Sequence, residues 1–259
     1  MDFFAPLSET DPVILIAATA IMLFGGFVKG AVGFALPMIG IGGLGSFMPA
    51  QETVAILIFP TVLSNLLQTV RQGIGPAVLT LRDFWRLNLL LVLTIGIVAQ
   101  FVPHISSAAL FAFLGMVISG AAALQLLGWR PRAPATAERR VALEWVTGLA
   151  AGVSGGLSGV WAPPVLFFLI ALDLPKTFHV RALGLALLAG SSVLVPAHLT
   201  SGILNAVTLP FSLAMCLPML AGMMIGQVCQ DRMDQALFRR MALTVLCIAG
   251  LNLLRRGLM

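Results

Sequence analysis

The sequence predicts an all-α polytopic membrane protein built from two inverted-topology repeats, and three observations lead to this fold class. Of the 259 residues, 59% are hydrophobic and only 10% are charged, whereas soluble domains carry about 25% charged residues. One glycine and proline pattern occurs twice, and the charged loops change sides between its two copies. Each repeat is therefore predicted to contain a glycine-broken helical hairpin followed by three transmembrane helices.

The composition is that of a chain that crosses the membrane repeatedly. Apolar runs of about 20 residues, the length that spans a bilayer, recur along the sequence. The net charge of +5 comes from arginines in short loops, which indicates the positive-inside bias of membrane proteins rather than a nucleic-acid partner. The three cysteines lie in or beside apolar segments without metal-ligand spacing. We expect neither a metal site nor a structural disulfide.

The internal duplication is visible as an alignment without gaps. The segment GGFVKGAVGFALP at 25–37 matches AGVSGGLSGVWAP at 151–163 with an offset of 126 residues. The same offset places Asn65 on Ser191. We therefore divide one integral membrane domain into three parts: a first repeat over 1–128, a cytoplasmic Arg-rich linker over 129–140, and a second repeat over 141–259.

Each repeat opens with an apolar run that is too long for a single crossing. These runs, Val13–Met48 and Leu143–Leu172, contain many glycines, so each is predicted to form a hairpin, either re-entrant or of two closely packed helices. Three ordinary spans follow each hairpin. They are predicted at 53–70, 84–102 and 107–128, and at 178–198, 209–228 and 237–254.

Loop charge predicts that the two repeats have opposite orientations. In the first repeat the loop at 71–86 carries arginines and should be cytoplasmic, whereas the corner at 49–52 and the loop at 103–107 have none and should face outside, like the N-terminus. In the second repeat the pattern reverses. The loops at 173–181 and 229–240 are basic, and the loop at 199–208 is not. Arg255 and Arg256 do not fit, since this topology places them outside.

The glycine and proline pattern suggests an anion site. Proline suits the first turn of a helix, so Pro37 and Pro163 are predicted to start new helices after a break. The N–H groups of 33–36 and 159–162 would then be free donors at helix N-termini, which bind anions. Lys29 would add a full positive charge. Two alternatives stay open: the glycines allow close helix packing, and Lys29 snorkels to the interface.

The segments KGAVGFALP (29–37) and GGLSGVWAPP (155–164) resemble the TauE/SafE family of sulfite exporters, as do the chain length and the duplicated layout. The resemblance covers nearly the whole chain. It implies export of sulfite, organosulfonates or related small organic anions across the inner membrane of a bacterium. The second segment reads VWAPP where another glycine is common in the family, so Trp161 is expected to change the size of the site.

The substrate-binding site is predicted to include polar residues from the span after each hairpin. Asn65, Ser191 and Ser192 could bind a substrate oxygen or bond between helices, and His198 could carry protons or be an ordinary buried histidine. The complete prediction is Lys29, Gly30, Gly33, Phe34, Asn65, Gly156, Gly159, Val160, Trp161, Ser191, Ser192 and His198.

Together with these residues, the resemblance implies export of a small sulfur-containing anion by alternating access, with the anion bound at helix N-termini near the midplane. The alternatives are an anion channel and an uptake permease. We find no catalytic constellation and expect no enzyme activity and no cofactor. The expected partners are a small anion and the lipid bilayer, with no nucleic acid, and homo-oligomer formation is left open. All acidic residues are assigned to loops or helix ends, so no carboxylate relay is expected.

Overall fold

The computed structural model describes residues 11–70, 73–129, 134–230 and 235–259. These residues are predominantly helical, and a 3-10 helix at Ala99–His104 continues the fifth α-helix. The α-helices are α1 (Pro12–Val32), α2 (Leu36–Leu44), α3 (Ala50–Val70), α4 (Ile74–Asp83), α5 (Trp85–Val98), α6 (Ser107–Leu126), α7 (Ala137–Ser158), α8 (Ala162–Ala171), α9 (Lys176–Thr200), α10 (Thr208–Ala214), α11 (Cys216–Gln230) and α12 (Gln235–Leu258).

The predicted spans correspond to observed helices. Within the described ranges, six helices are long and apolar enough to cross a membrane. The prediction at 209–228 is divided into α10 and α11, with a turn at Met215. The prediction at 84–102 continues from α5 into the 3-10 helix. The all-α polytopic fold class is therefore confirmed.

Two boundaries differ from the sequence-based expectation. The segment 71–86 was expected to be a loop, but it contains α4, whose Ile74 and Leu79 side chains are exposed. An exposed apolar helix face of this kind suits a membrane interface. The second difference is the start of α7, which lies inside the expected linker because the Thr136 hydroxyl accepts a hydrogen bond from the Arg139 N–H at 3.3 Å and caps the helix.

In each hairpin the second helix packs against the first. In the first hairpin, Gly25 faces Ile39 and Gly43 faces Ile21, so α2 runs back along α1. In the second, α8 packs against α7. The tip residues Phe34, Ala35, Val160 and Trp161 are buried, so the turn of each hairpin lies inside the protein.

The two ends of the bundle have different chemistry. At one end, which we call the arginine end, Arg140 lies over the Phe84 ring, and Phe84 packs against Phe168 and Phe178. The start of α7 and the end of α8 therefore lie together there. At the other end, which we call the N-terminal end, residues from 14, 47–52 and 202–208 line one open cleft. The start of α1 and the end of α2 meet at that cleft.

Segments at equivalent positions of the two repeats lie at opposite ends. The corner at 49–52 is at the N-terminal end, where the Gln51 side chain lies 3.4 Å from the carbonyl of Val102. Its counterpart, between α8 and α9, is near Phe178 at the arginine end. The Asn252 amide donates to Ser46 at 3.1 Å, so α12 ends at the N-terminal end. This agrees with the inverted topology, which stays a prediction. Residues 71–72 and 231–234 lie outside the described residues.

Helices of one repeat pack against helices of the other. The hairpin helix α1 packs along α11, and its counterpart α7 packs along α5. The pairs α3 with α9 and α6 with α12 bring equivalent helices together. The bundle is thus held by contacts that cross between the two halves of the chain.

Glycines make the contact between α1 and α11 very close. A Cβ atom on Gly26 or Gly30 would overlap backbone atoms of α11, and one on Gly222 or Gly226 would overlap backbone atoms of α1. Small residues of this kind let helix backbones approach in a membrane, where packing rather than the hydrophobic effect favours association. Part of the glycine pattern therefore serves helix packing.

One acidic residue contradicts the expectation that all carboxylates lie in loops or at helix ends. Glu144 lies within α7 and is buried. Its carboxylate accepts hydrogen bonds from Arg86 at 3.4 Å and Arg140 at 3.2 Å. The expectation was wrong because the helix begins earlier than the apolar pattern indicates. The paired carboxylate links α5 to α7 near the arginine end.

Candidate functional site

The tips of the two hairpins have the same backbone design. Gly33 ends α1 with φ 89°, and Gly159 ends α7 with φ 69°. This left-handed conformation favours glycine. Three residues later the next helix begins, at Leu36 and at Ala162, with Pro37 and Pro163 in its first turn. The prediction that both prolines mark new helix starts is confirmed.

The expected backbone donors are only partly available. The N–H groups of Gly33 and Gly159 donate at 2.7 Å to the carbonyls of Lys29 and Gly155, so they close the preceding helices. The expectation that these two N–H groups are free was wrong, because the left-handed cap needs them. In α8, Pro163 is followed by Pro164, and neither has an N–H group. The second helix start is therefore poor in donors.

Lys29 is buried inside the bundle, with 2% of its surface exposed. Its ammonium group donates a hydrogen bond to Oδ1 of Asn65. Among the ion pairs of the described residues, none brings a carboxylate to Lys29. The side chain thus points towards α3 in the interior, which is not the geometry of a snorkelling lysine. Its place in the last turn of α1 is favourable, because helix C-termini attract cations.

Asn65 connects Lys29 to the second repeat. Its side-chain amide donates to the carbonyl of Leu187 at 3.1 Å and to the hydroxyl of Ser191 at 3.3 Å. Both side chains are buried. These bonds on α9 orient the Asn65 carbonyl oxygen towards Lys29. Asn65 and Ser191 hold equivalent positions in the sequence alignment of the two repeats. The bonds between helices expected as one alternative are present.

A small cavity lies between the two hairpin tips. In this conformation it has room for about one water molecule. Lys29 contributes a charged group to the cavity wall and Asn65 an amide. Thr61, which lies one turn before Asn65 on α3, contributes a hydroxyl group. The first repeat supplies Lys29, Phe34, Ala35, Pro37, Met38, Thr61 and Asn65 to its wall, and the second supplies Gly159, Val160, Trp161, Ala162 and Leu187.

Trp161 is a rigid part of this wall. Its indole N–H donates to the carbonyl of Ala186 at 3.1 Å, and the side chain is buried. Gly190 makes room for the ring, since a Cβ atom there would lie 2.7 Å from the indole nitrogen. The tryptophan expected to change the size of the site therefore stands at the cavity, held by two contacts with α9.

Six of the predicted site residues line the cavity. They are Lys29, Phe34, Asn65, Gly159, Val160 and Trp161. Sequence reasoning did not select the residues that complete the wall, namely Ala35, Pro37, Met38, Thr61, Ala162 and Leu187. Thr61 had a usable signal, a polar residue one helical turn from Asn65 in an apolar span. The apolar residues had none, because their positions depend on how α2 and α9 pack.

Other predicted residues lie away from the cavity. Gly30 packs on α11, and Gly156 packs on Val98 of α5. Ser192 is exposed, and its hydroxyl bonds to the Leu188 carbonyl at 2.9 Å. His198 is buried two helical turns beyond Ser191, and its Nδ1 lies 3.5 Å from the Ser201 hydroxyl. A substrate contact for these four residues stays a prediction.

Apolar side chains separate the cavity from the cleft at the N-terminal end. A second small cavity shares Thr61 and Gly159 with the first and is closed by Leu57, Ile58 and Leu194. All three leucine and isoleucine side chains are buried. Towards the arginine end, the Thr69 hydroxyl lies 3.4 Å from the Gly184 carbonyl, where α3 and α9 pack together. The tips thus enclose a small, mostly apolar cavity in the interior of the bundle, with Lys29, Thr61 and Asn65 as its polar residues.

Comparison with known families identifies the chain. Residues 18–253 match the model of the sulfite exporter TauE/SafE family, and the chain belongs to this family. Comparisons with curated proteins and with solved structures give no match. The match confirms the family resemblance. Together with the apolar helices, it makes the chain a multi-pass membrane protein of a transporter family.

Proposed function

We propose that this member of the TauE/SafE family carries a small sulfur-containing anion, such as sulfite or a sulfonate, out of a bacterial cell across the inner membrane. The anion binds between the hairpin tips, and alternating access exposes that site to one side at a time. The observation that best supports this proposal is the environment of Lys29. It is a buried cation at a closed cavity, and its hydrogen-bonding partner is the neutral amide of Asn65.

The physical argument starts from the cost of burying a charge. A charged side chain in the middle of the bilayer costs at least about 2.5–3.5 kcal/mol, and such residues usually mark substrate or ion pathways. An amide oxygen compensates the ammonium group only in part, because it carries no net charge. An anion in the cavity would complete the compensation. The N1 positions at Leu36 and Ala162 would add the positive ends of two helices.

The closed cavity supports a carrier over an open channel. It has room for about one water molecule, so the hairpin tips must separate before an anion can bind. Each hairpin is attached to its own end of the bundle, so each could open towards that end while the other stays closed. An inside-negative potential favours anion efflux by about 2.3 kcal/mol per charge per 100 mV, so export needs no coupling ion.

The test is flux in liposomes that contain the purified protein under an imposed potential, with sulfite and methanesulfonate as probes. Lys29→Met should lower flux roughly 10- to 150-fold, the range that corresponds to losing one hydrogen bond to a charged group. Arg82→Met removes an exposed cation from α4 and should leave flux unchanged. Accelerated counterflow should be seen with unlabelled anion on the far side.

Three results would contradict the proposal in different ways. Equal flux in wild type and Lys29→Met would remove Lys29 from the site. Flux without counterflow or saturation would favour a channel. An absence of flux for every anion tested would leave the family and the fold in place and remove the support for the substrate class.

A further inference from the structure

A groove, which we call the lateral groove, opens on the outside of the bundle between the first hairpin and α12. It has a volume of about 570 Å³, within the range of about 300–1,000 Å³ that is typical of small-molecule sites. Its apolar wall comes from α1, α2 and α12 and includes Ile21, Phe24, Ile39, Leu246 and Ile248. Phe24 and Ile248 are exposed, and Phe24 lies in the middle of the candidate membrane span Pro12–Ala31. The lateral groove therefore faces the hydrocarbon chains of the bilayer.

One end of the lateral groove is polar. Ser46 and Asn252 line it there, and the Asn252 amide donates to the Ser46 hydroxyl at 3.1 Å. The side-chain carbonyl of Asn252 accepts a hydrogen bond from the guanidinium group of Arg255 at 3.3 Å. Arg255 is exposed, so an accessible cation stands beside the polar end. Leu246 precedes Asn252 by six residues, which separates the apolar part from the polar end by roughly 9 Å along α12.

The described residues do not balance the charge of Arg255. The ion pairs among them join Glu144 to two arginines at the opposite end of the bundle. The neighbouring Arg256 has a structural role, because its guanidinium group lies 4.6 Å from the centre of the Phe111 ring. The predicted topology places both arginines outside, against the positive-inside bias, so loop charge does not account for Arg255. A guanidinium group suits phosphate, which it can bind through two parallel hydrogen bonds.

We propose that the lateral groove is a binding site for one anionic phospholipid. An acyl chain lies along Phe24, Ile39 and Ile248, and the phosphate of the headgroup pairs with Arg255 beside Asn252. A phospholipid matches both parts of the groove, since it carries a hydrocarbon chain and a negative charge in one molecule. A second copy of the chain fits less well, because a symmetric dimer packs the same patch on itself and would bring two unbalanced Arg255 side chains together.

This site is independent of the proposed transport function. The lateral groove shares no lining residue with the cavity between the hairpin tips. Lipid binding can therefore be measured without a transported anion, and its failure would leave the proposed function as it stands.

The experiment is native mass spectrometry of the purified full-length protein, titrated with phosphatidylglycerol or phosphatidylcholine that carries the same acyl chains. One phosphatidylglycerol should stay bound, with about fivefold higher affinity than phosphatidylcholine, the factor for one basic residue at an anionic membrane surface. Arg255→Gln should abolish this preference. Arg240→Gln removes the same charge from an exposed arginine near the start of α12 and should keep the preference.

Two further comparisons test the apolar part of the lateral groove. Ile248→Trp enlarges an exposed side chain of the wall, so it should weaken both lipids and keep the preference for phosphatidylglycerol. Inorganic phosphate should not displace phosphatidylglycerol at equal concentration, since it has no hydrocarbon chain. The Arg255→Gln and Arg240→Gln pair decides the matter even where Ile248→Trp does not fold.

Four results would overturn the proposal. Equal affinity of the wild-type protein for the two lipids would remove the preference for an anionic headgroup. An equal loss in Arg240→Gln and Arg255→Gln would indicate a general attraction of charges. Displacement by inorganic phosphate at equal concentration would indicate an anion site that takes no lipid chain. A dimer that retains no phospholipid would show that a second copy covers the groove.

Discussion

The tips of the two hairpins hold different side chains on matching backbones. Where the first hairpin has Lys29, the equivalent position of the second is Gly155, and where the first has Ala35, the second has Trp161. Both tips keep a left-handed glycine at the end of one helix and a proline in the first turn of the next. The duplicated backbone thus forms the cavity, while the two tips contribute different side chains to it: the first tip supplies the charged lysine and the second the large apolar tryptophan.

The same division continues along the central helices. The first-repeat helix α3 presents Thr61 and Asn65, and the equivalent positions of α9 are Leu187 and Ser191. All four residues are at or next to the cavity. A symmetric site would bind its ligand equally well in two orientations. This one provides a single cation on one side, so an anion bound there as proposed would have one preferred orientation.

The largest effect is expected when the charge on the first side is neutralised in place. Asn65→Asp would put a carboxylate beside Lys29, and the pair would have no net charge left for a substrate. Sulfite flux in liposomes should fall roughly 10- to 150-fold, as for the loss of a charged hydrogen bond. Ser191→Ala, at the equivalent position, removes one bond of 3.3 Å to Asn65 and should change flux only a few-fold. Wild-type flux in Asn65→Asp would place the anion elsewhere.

A smaller effect is expected on protein stability, and its size should differ between the two hairpins. A Cβ on Gly30 would lie 2.2 Å from the carbonyl oxygen of Met223, whereas on Gly156 the nearest atom, the Cβ of Val98, would be 2.7 Å away, so the overlap is smaller. Overpacking costs about 1–3 kcal/mol, and Gly30→Ala should be near the upper value and Gly156→Ala near the lower. The unfolding midpoint in detergent measures this order.

The control for this pair is a glycine in open space. Gly120 of α6 has no neighbour within 4 Å of an added Cβ, so Gly120→Ala should leave the midpoint unchanged or raise it, since alanine favours helices. A lower midpoint for Gly156→Ala than for Gly30→Ala would show that the α5 contact, rather than the α11 contact, is the more rigid.

The smallest effect is expected at the backbone difference between the tips. Ala35 has φ 83°, and its counterpart Trp161 has φ −119°. The left-handed region costs a residue with a Cβ about 1–2 kcal/mol. Glycine avoids this cost, but it loses more conformational entropy on folding, which cancels part of the gain. Ala35→Gly should therefore raise stability by no more than about 1 kcal/mol. Ala31→Gly, in the helical part of the same hairpin, should lower it. A lower stability of the Ala35→Gly variant would contradict the conclusion that the backbone of Ala35 is strained.

Sequence reasoning reached the fold because its signals are local. Length and hydropathy of the spans follow from the thickness of the bilayer, and the glycine and proline pattern at 25–37 and 151–163 marks the helix breaks through backbone sterics. These signals predicted the two hairpins and the helices after them. These signals did not predict the start of α7. The charged residues before Leu143 have the composition of a linker, but they are helical because Thr136 caps the helix.

The site was less accessible to sequence reasoning, because it depends on which side of each helix faces the centre. Gly30 and Lys29 are adjacent in the chain, yet the glycine packs on α11 and the lysine reaches Asn65. The 100° step between successive helical residues separates them. Ser191 and Ser192 differ in the same way, one bonded to Asn65 and the other exposed.

Composition, spacing and motifs are enough to identify a duplicated, helical membrane protein of the TauE/SafE family with a lysine in an apolar segment. Three contacts became known only from the folded chain: Lys29 meets Asn65, Asn65 is held by Ser191 from 126 residues away, and Trp161 lies at the same cavity. Such contacts form between helices that are remote in the chain, and their geometry is set by close packing of the whole bundle rather than by any local pattern.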